Sequence, residues 1–243
     1  TYSISIINPF KADVYFSGNG PWQLATELKI PDNNLYLESG TIVSNSNNIE
    51  LNRFVSIGGV NRSLNLGTST VRLNDNFLKT WDVEGSLFTV TNSAYTIELI
   101  EQTAGFYNNH NTSINYNTVH FIDNREKANL TNEGATVNFV ELDFSAGANI
   151  SGDHNFETFI LSAGKTYLFE SGSEQKITNA NGFVAEGTCS QFIYLEGNGG
   201  ISNIRSDVNS NRILYVQITD LEVIGGVTLS GGLDAQSSFG VLN

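Results

Sequence analysis

Along most of the chain apolar side chains recur at every second position, in runs of four to eight residues that end at Gly, Asn, Asp or Ser. A period of two is the pattern of a strand buried on one side. It predicts strands at 2–7, 13–16, 35–43, 49–57, 95–100, 165–170, 191–195, 213–218 and 239–242, among others. Clusters such as Ser17-Gly18-Asn19-Gly20-Pro21 and Gly197-Asn198-Gly199-Gly200 read as corners between them. In 63–73 the alternation holds on both sides of one glycine. Leu64, Leu66, Val71 and Leu73 are therefore expected inside, with a bulge or corner at Gly67 resetting the phase. Helix evidence is confined to one turn at 125–130, and the Asn-rich stretch 108–115 reads as a polar patch.

One phrase is written twice. Phe139-Val140-Glu141-Leu142-Asp143-Phe144-Ser145-Ala146-Gly147 is followed, 17 positions on (156 minus 139), by Phe156-Glu157-Thr158-Phe159-Ile160-Leu161-Ser162-Ala163-Gly164. A looser copy, Tyr116-Asn117-Thr118-Val119-His120-Phe121, lies 23 positions upstream (139 minus 116). Repeats near 20 residues, each a short strand with a Gly/Asn turn, predict an all-β chain wound as a parallel β-helix, or β-solenoid. Stacking the copies places Phe139 over Phe156, Leu142 over Phe159 and Phe144 over Leu161. No linker or shift in composition interrupts residues 1–243, which are expected to form one continuous body. Neither end shows a capping element, so the parent chain is expected to continue past Asn243.

Composition sharpens this picture. Charged residues are 15% of the chain, below the roughly 25% of ordinary globular proteins. Solubility then rests on Asn, Ser, Thr and Gly, and about thirty positions are Asn. Asn and Gly are the residues that most readily take positive φ, which frequent tight corners require. The formal net charge of −13 disfavours nucleic acid and anionic membrane surfaces as partners. No apolar run approaches the 18 residues needed to span a bilayer as a helix. The one cysteine, Cys189, has no internal partner and reads as a small half-buried residue.

Three stretches are similar to coil phrases of very large surface proteins of Bacteroidetes-type bacteria. They are Asn61-Arg62-Ser63-Leu64-Asn65-Leu66-Gly67-Thr68-Ser69-Thr70-Val71, the span 150–172 with Gly164-Lys165-Thr166-Tyr167-Leu168-Phe169, and Tyr215-Val216-Gln217-Ile218-Thr219-Asp220 with Gly225-Gly226. The resemblance implies a right-handed parallel β-helix segment of a secreted cell-surface adhesin, of the kind exported by type IX secretion and used in gliding motility. The implied role is a stiff rod, a repeat protein for cell adhesion at the extracellular surface. Its partners would be the remainder of a larger parent chain and surface polysaccharide. The resemblance supplies no catalytic residue, no metal and no cofactor.

Candidate chemistry is thin. His110 lies in the Asn-rich stretch, His154 in a corner, and His120 points outward between inward Val119 and Phe121; all three read as surface residues. Glu141, Asp143 and Glu157 project from the outer face of the repeats, and Asp82 and Glu84 form a similar pair two apart. Two carboxyls are the minimum for glycoside hydrolysis, but solvated charge is the simpler reading. Asp32-Asn33-Asn34 and Asp123-Asn124-Arg125-Glu126 are loosely Ca²⁺-like, and more simply turns. The basic residues, among them Arg53, Arg62, Arg72, Lys79, Arg125, Lys176 and Arg205, look scattered. Trp22, Tyr107, Tyr116, Tyr194 and Tyr215 could stack on sugar rings if exposed, but are expected mainly in the core. Only one rung, Thr68-Ser69-Thr70, carries the Thr pattern of an ice-binding surface. Two readings stay beside the adhesin: a polysaccharide lyase or hydrolase of β-helix fold, and a spacer without a ligand.

Overall fold

The computed structural model describes residues 2–5, 8–91, 93–123, 125–229 and 237–238. The predicted strand at 239–242 and part of that at 2–7 lie outside the described residues. Within them every regular element is a strand, and every ladder between named strands is parallel. The strands stack into a β-solenoid of about ten coils. Each complete coil turns two corners to visit three faces before it meets the coil below. The helical turn expected at 125–130 is absent; Ala128–Asn132 is a strand.

The first face begins with Tyr2–Ile4, Pro21–Leu24, Gly40–Val43, Arg62–Asn65 and Phe88–Val90. From Ile114 onward the first halves of longer strands continue it, pairing Tyr116 with Phe139, Phe139 with Phe156 and Phe156 with Ile177. The second face carries the inward column Leu28, Ile49, Val71, Ile97, Val119, Leu142, Phe159 and Phe183. The third carries Leu35, Phe54, Trp81, Phe106, Leu130, Ile150 and Phe169.

These columns meet inside as one apolar core running from Phe16 to Val223. The repeat phrase sits in the predicted register: Phe139 over Phe156, Leu142 over Phe159 and Phe144 over Leu161. The Phe139 and Phe156 rings stack at 5.6 Å and 15°. Leu64, Leu66, Val71 and Leu73 all point inward, and Gly67 turns the corner between them with φ of 58°. Backbone groups are satisfied along the axis by the next coil, and each buried apolar side chain adds about 2 kcal/mol. A single coil cannot cover its own core, so stability is shared between neighbours.

Outside, polar side chains form columns of their own. On the first face Asn138 Nδ2 donates to Asn115 Oδ1, and Asn155 Nδ2 to Asn138 Oδ1, each at 2.7 Å. On the third face Asn149 Nδ2 donates to Asn129 Oδ1 at 3.0 Å. Along the second face Lys29, Glu50, Arg72, Glu98, His120 and Asp143 occupy successive rungs, the first four alternating in sign. Beside them Thr70, Thr96 and Thr118 line up before Glu141 and Thr158. The threonine column is thus longer than one rung, but it shares its face with charges. The abundance of Asn serves these ladders as well as the corners.

Gly85 shows how tightly coils approach. Its φ is 95°, and a Cβ there would lie 2.2 Å from the Gly58 carbonyl oxygen of the coil above. Gly85→Ala is expected to lower unfolding free energy by about 2–4 kcal/mol in chemical denaturation, since strain and clash add. A loss below 1 kcal/mol would show that the two coils can separate freely at this corner.

Candidate functional site

The densest cluster of ionisable side chains lies on the outer surface of the third face. Period two sends Val55, Asp82 and Tyr107 outward on successive rungs of 49–58, 81–85 and 105–110. Outward position does not expose them here, because the connection 74–80 folds back over the column. Its backbone is tied down by Asn74 N–H to the Leu51 carbonyl and Asp75 N–H to the Asn52 carbonyl, both at 3.0 Å. Thr80 Oγ1 bridges it from within, donating to the carbonyls of Asp75 and Phe77. Asp82 is left 1% exposed and Tyr107 7% exposed.

Two ion pairs meet at this cover, one beneath it and one at its half-exposed edge. Arg53 Nη2 donates to Asp82 Oδ2 at 2.5 Å, and its guanidinium lies 4.9 Å from the centre of the Phe77 ring. Lys79 Nζ donates to Glu84 Oε1 at 2.6 Å and sits 3.5 Å from the centre of the Tyr107 ring. The Tyr107 hydroxyl in turn donates to Glu133 Oε2 at 2.7 Å. Burial pushes the Asp82 carboxyl up to about 6, against the pull of Lys79 and Arg53. The hydrogen bond from Lys79 holds Glu84 below the usual carboxylate range. Two carboxyls driven apart by their surroundings are the electrostatic pattern of an acid and a base. Asp82 Oδ1 and Arg53 Nε have no hydrogen-bond partner. Contact with a substrate, however, requires the 74–80 segment to lift away.

The solvated Asp82–Glu84 pair expected from the sequence is therefore corrected: Asp82 is buried and paired with Arg53, because the connection 74–80 just before its strand folds back over it. Glu141, Asp143 and Glu157 are on the outer surface as expected, with Glu141 Oε1 2.9 Å from His120 Nε2. Partial burial raises the Asp143 carboxyl. His120 is outward, but His110 and His154 are not surface residues. His110 ends the strand Gly105–His110, where the expected polar patch begins; its Nε2 accepts the Phe88 N–H at 3.0 Å. His154 is 1% exposed, within 2.9 Å of Gln175 Oε1 through Nδ1, and burial lowers it to about 4, so it is neutral.

Arg62, one of the basic residues that look scattered in the sequence, is a structural residue of the interior. It is 1% exposed and fills a corner between the third and first faces. Its guanidinium donates to Ser56 Oγ and to the carbonyls of Val60, Gly58, Glu84 and Ser86. Its place two before Leu64 and four before Leu66 was the available signal. The other cations mostly pair: Arg72 with Glu98, Arg125 with Asp123, and both Lys176 and Arg205 with Asp207. Tyr107 and Tyr116 are buried, and Trp22, Tyr194 and Tyr215 are half-buried. Cys189 is exposed rather than half-buried, in the turn closed by the Thr188–Gln191 bridge.

Compared with family models, curated proteins and solved structures, the chain matches none. Its chemistry is therefore read from geometry. Among the described residues no three His, Cys, Asp or Glu side chains gather as metal ligands, and no helix is long and apolar enough to cross a membrane. What the covered cluster does in the observed state is hold the 74–80 segment against three coils through charge and cation–π contacts.

Proposed function

We propose that the chain is a non-catalytic segment of a secreted bacterial cell-surface adhesin, a stiff rod for attachment or gliding whose sides contact polysaccharide. The observation that carries this reading is the continuity of the inward and outward columns from coil to coil. Apolar stacks inside and Asn and charge ladders outside couple each coil to the next, which stiffens the axis. The same regularity presents long polar surfaces on which many weak contacts add through multivalency. The best-formed carboxylate cluster supports a clasp, because its key carboxyl is covered.

A second reading, a polysaccharide lyase or hydrolase, is favoured by one observation: the opposite displacement of Asp82 and Glu84 beside Lys79. A panel of neutral and anionic polysaccharides, scored for both retention and chain cleavage, separates the readings. Retention without cleavage is expected. Cleavage abolished by Asp82→Asn would establish the enzyme instead. Neither retention nor cleavage would leave the spacer.

A further inference from the structure

The column of Asn115, Asn138 and Asn155 borders a shallow groove of about 330 Å³. Its remaining walls include Val140, Glu157 and Thr178. The groove crosses successive coils on the first face and its corner, whereas the Asp82 cluster lies on the third face. We propose that it is a binding site for a neutral, hydroxyl-rich glycan chain lying along the solenoid axis. The proposal rests on the polysaccharide-binding part of the reading above and names both the site and the ligand class.

Hydrogen-bond valence carries the argument. A carboxamide has two N–H donors and an oxygen with two lone pairs. Asn138 spends one N–H on Asn115 and one lone pair on Asn155. One donor and one acceptor remain on its outer side, and the ladder fixes which way each points. Rungs repeat at about 4.8 Å, so these donor–acceptor points recur along the axis. A hydroxyl both donates and accepts and can satisfy both at once, whereas a carboxylate or sulfate can only accept. The amides sit on strands and are already held by one another, so little side-chain entropy is lost on binding.

Charge selects in the same direction. Glu157 on the groove wall is exposed, and its carboxylate accepts only a 3.3 Å contact from Asn179 Nδ2. The rung after Asn155 is Lys176, whose ammonium is occupied by Asp207 at 2.8 Å. An anionic polymer would meet this carboxylate on a chain of net charge −13. Val140, half-buried at the centre of the wall, offers a small apolar contact for the C–H face of a sugar ring.

The test is affinity electrophoresis of the chain through gels containing dextran, mannan, hydroxyethylcellulose, pectate or alginate. Wild type should be retarded by at least one neutral polymer and not by the anionic ones. Asn138→Leu should weaken that retardation tenfold or more, and the milder Asn115→Ala should weaken it several-fold. Asn149→Leu removes an amide ladder of the same kind on another face and should leave it unchanged. Thermal melts of the three variants show whether each still folds. Retardation by neutral polymers that survives both Asn138→Leu and Asn115→Ala would overturn the groove while leaving polysaccharide binding intact. Retardation by anionic polymers alone would overturn the ligand class. No retardation by any polymer would remove the polysaccharide contact itself, and the groove with it.

Discussion

Phe156→Ala is expected to lower the free energy of unfolding by about 3–5 kcal/mol, the range for deleting a buried aromatic ring. Phe156 is fully buried between coils. Its ring stacks on Phe139 at 5.6 Å, on Phe159 at 4.4 Å and 9°, and lies 5.9 Å from His154. Removing it opens a cavity that parallel strands above and below cannot close without shifting every hydrogen bond on their rungs. In a solenoid each coil touches only its neighbours, so the loss falls on one interface. Urea unfolding should then show a broader transition or two steps, with the halves on either side of Phe156 melting separately. A loss under 1.5 kcal/mol with an unchanged single transition would mean that this stack does not join the coils.

The second large effect is in the pH dependence. Asp82 holds its proton up to about pH 6 in the folded chain but releases it near 3.8 when unfolded. A raised acid stabilises the fold below the unfolded value, and that contribution is lost as pH rises towards 6. Its size is of order 1–3 kcal/mol, given about 1.4 kcal/mol per unit and the water at the rim of the cluster. His154 works in the opposite sense. It stays neutral to about pH 4 when folded and gains a proton near 6.5 when unfolded, so its contribution is lost as pH falls through that window. In wild type the two slopes oppose each other. In Asp82→Asn the Asp82 slope is removed while that of His154 remains, and stability should drop between pH 6.5 and 4 by about 1–3 kcal/mol more than in wild type. Denaturant unfolding at half-unit intervals measures this difference. A gap between the two proteins that is constant across pH would refute the assignment of Asp82.

Period two and the 17-residue repeat were sufficient to assign a parallel solenoid and the register of its central coils. The reason is elementary: a column of aromatics can be buried only if copies of one phrase lie on top of one another, so Phe139, Phe156 and their neighbours determine the winding. The same alternation correctly turned Leu64, Leu66, Val71 and Leu73 inward and His120 outward.

Polar residues were legible only where they obeyed that alternation. His110, His154, Asn108 and Arg62 are buried against polar partners that the alternation does not show: the Phe88 N–H for His110, Gln175 for His154, the Tyr116 hydroxyl for Asn108, and the carbonyls of Val60, Gly58, Glu84 and Ser86 for Arg62. Asp82 is buried because the 74–80 connection folds over an outward position, a choice that no local pattern records. The Asn groove likewise depends on which Asn residues fall on adjacent rungs. The sequence by itself determined the architecture, the register of the central coils and their aromatic core, because burial of a repeating apolar face has one regular solution. Only the tertiary structure decided which charges are covered, that His154 is neutral and where amides line a groove, because each of those depends on groups that the winding brings together and no local alternation records.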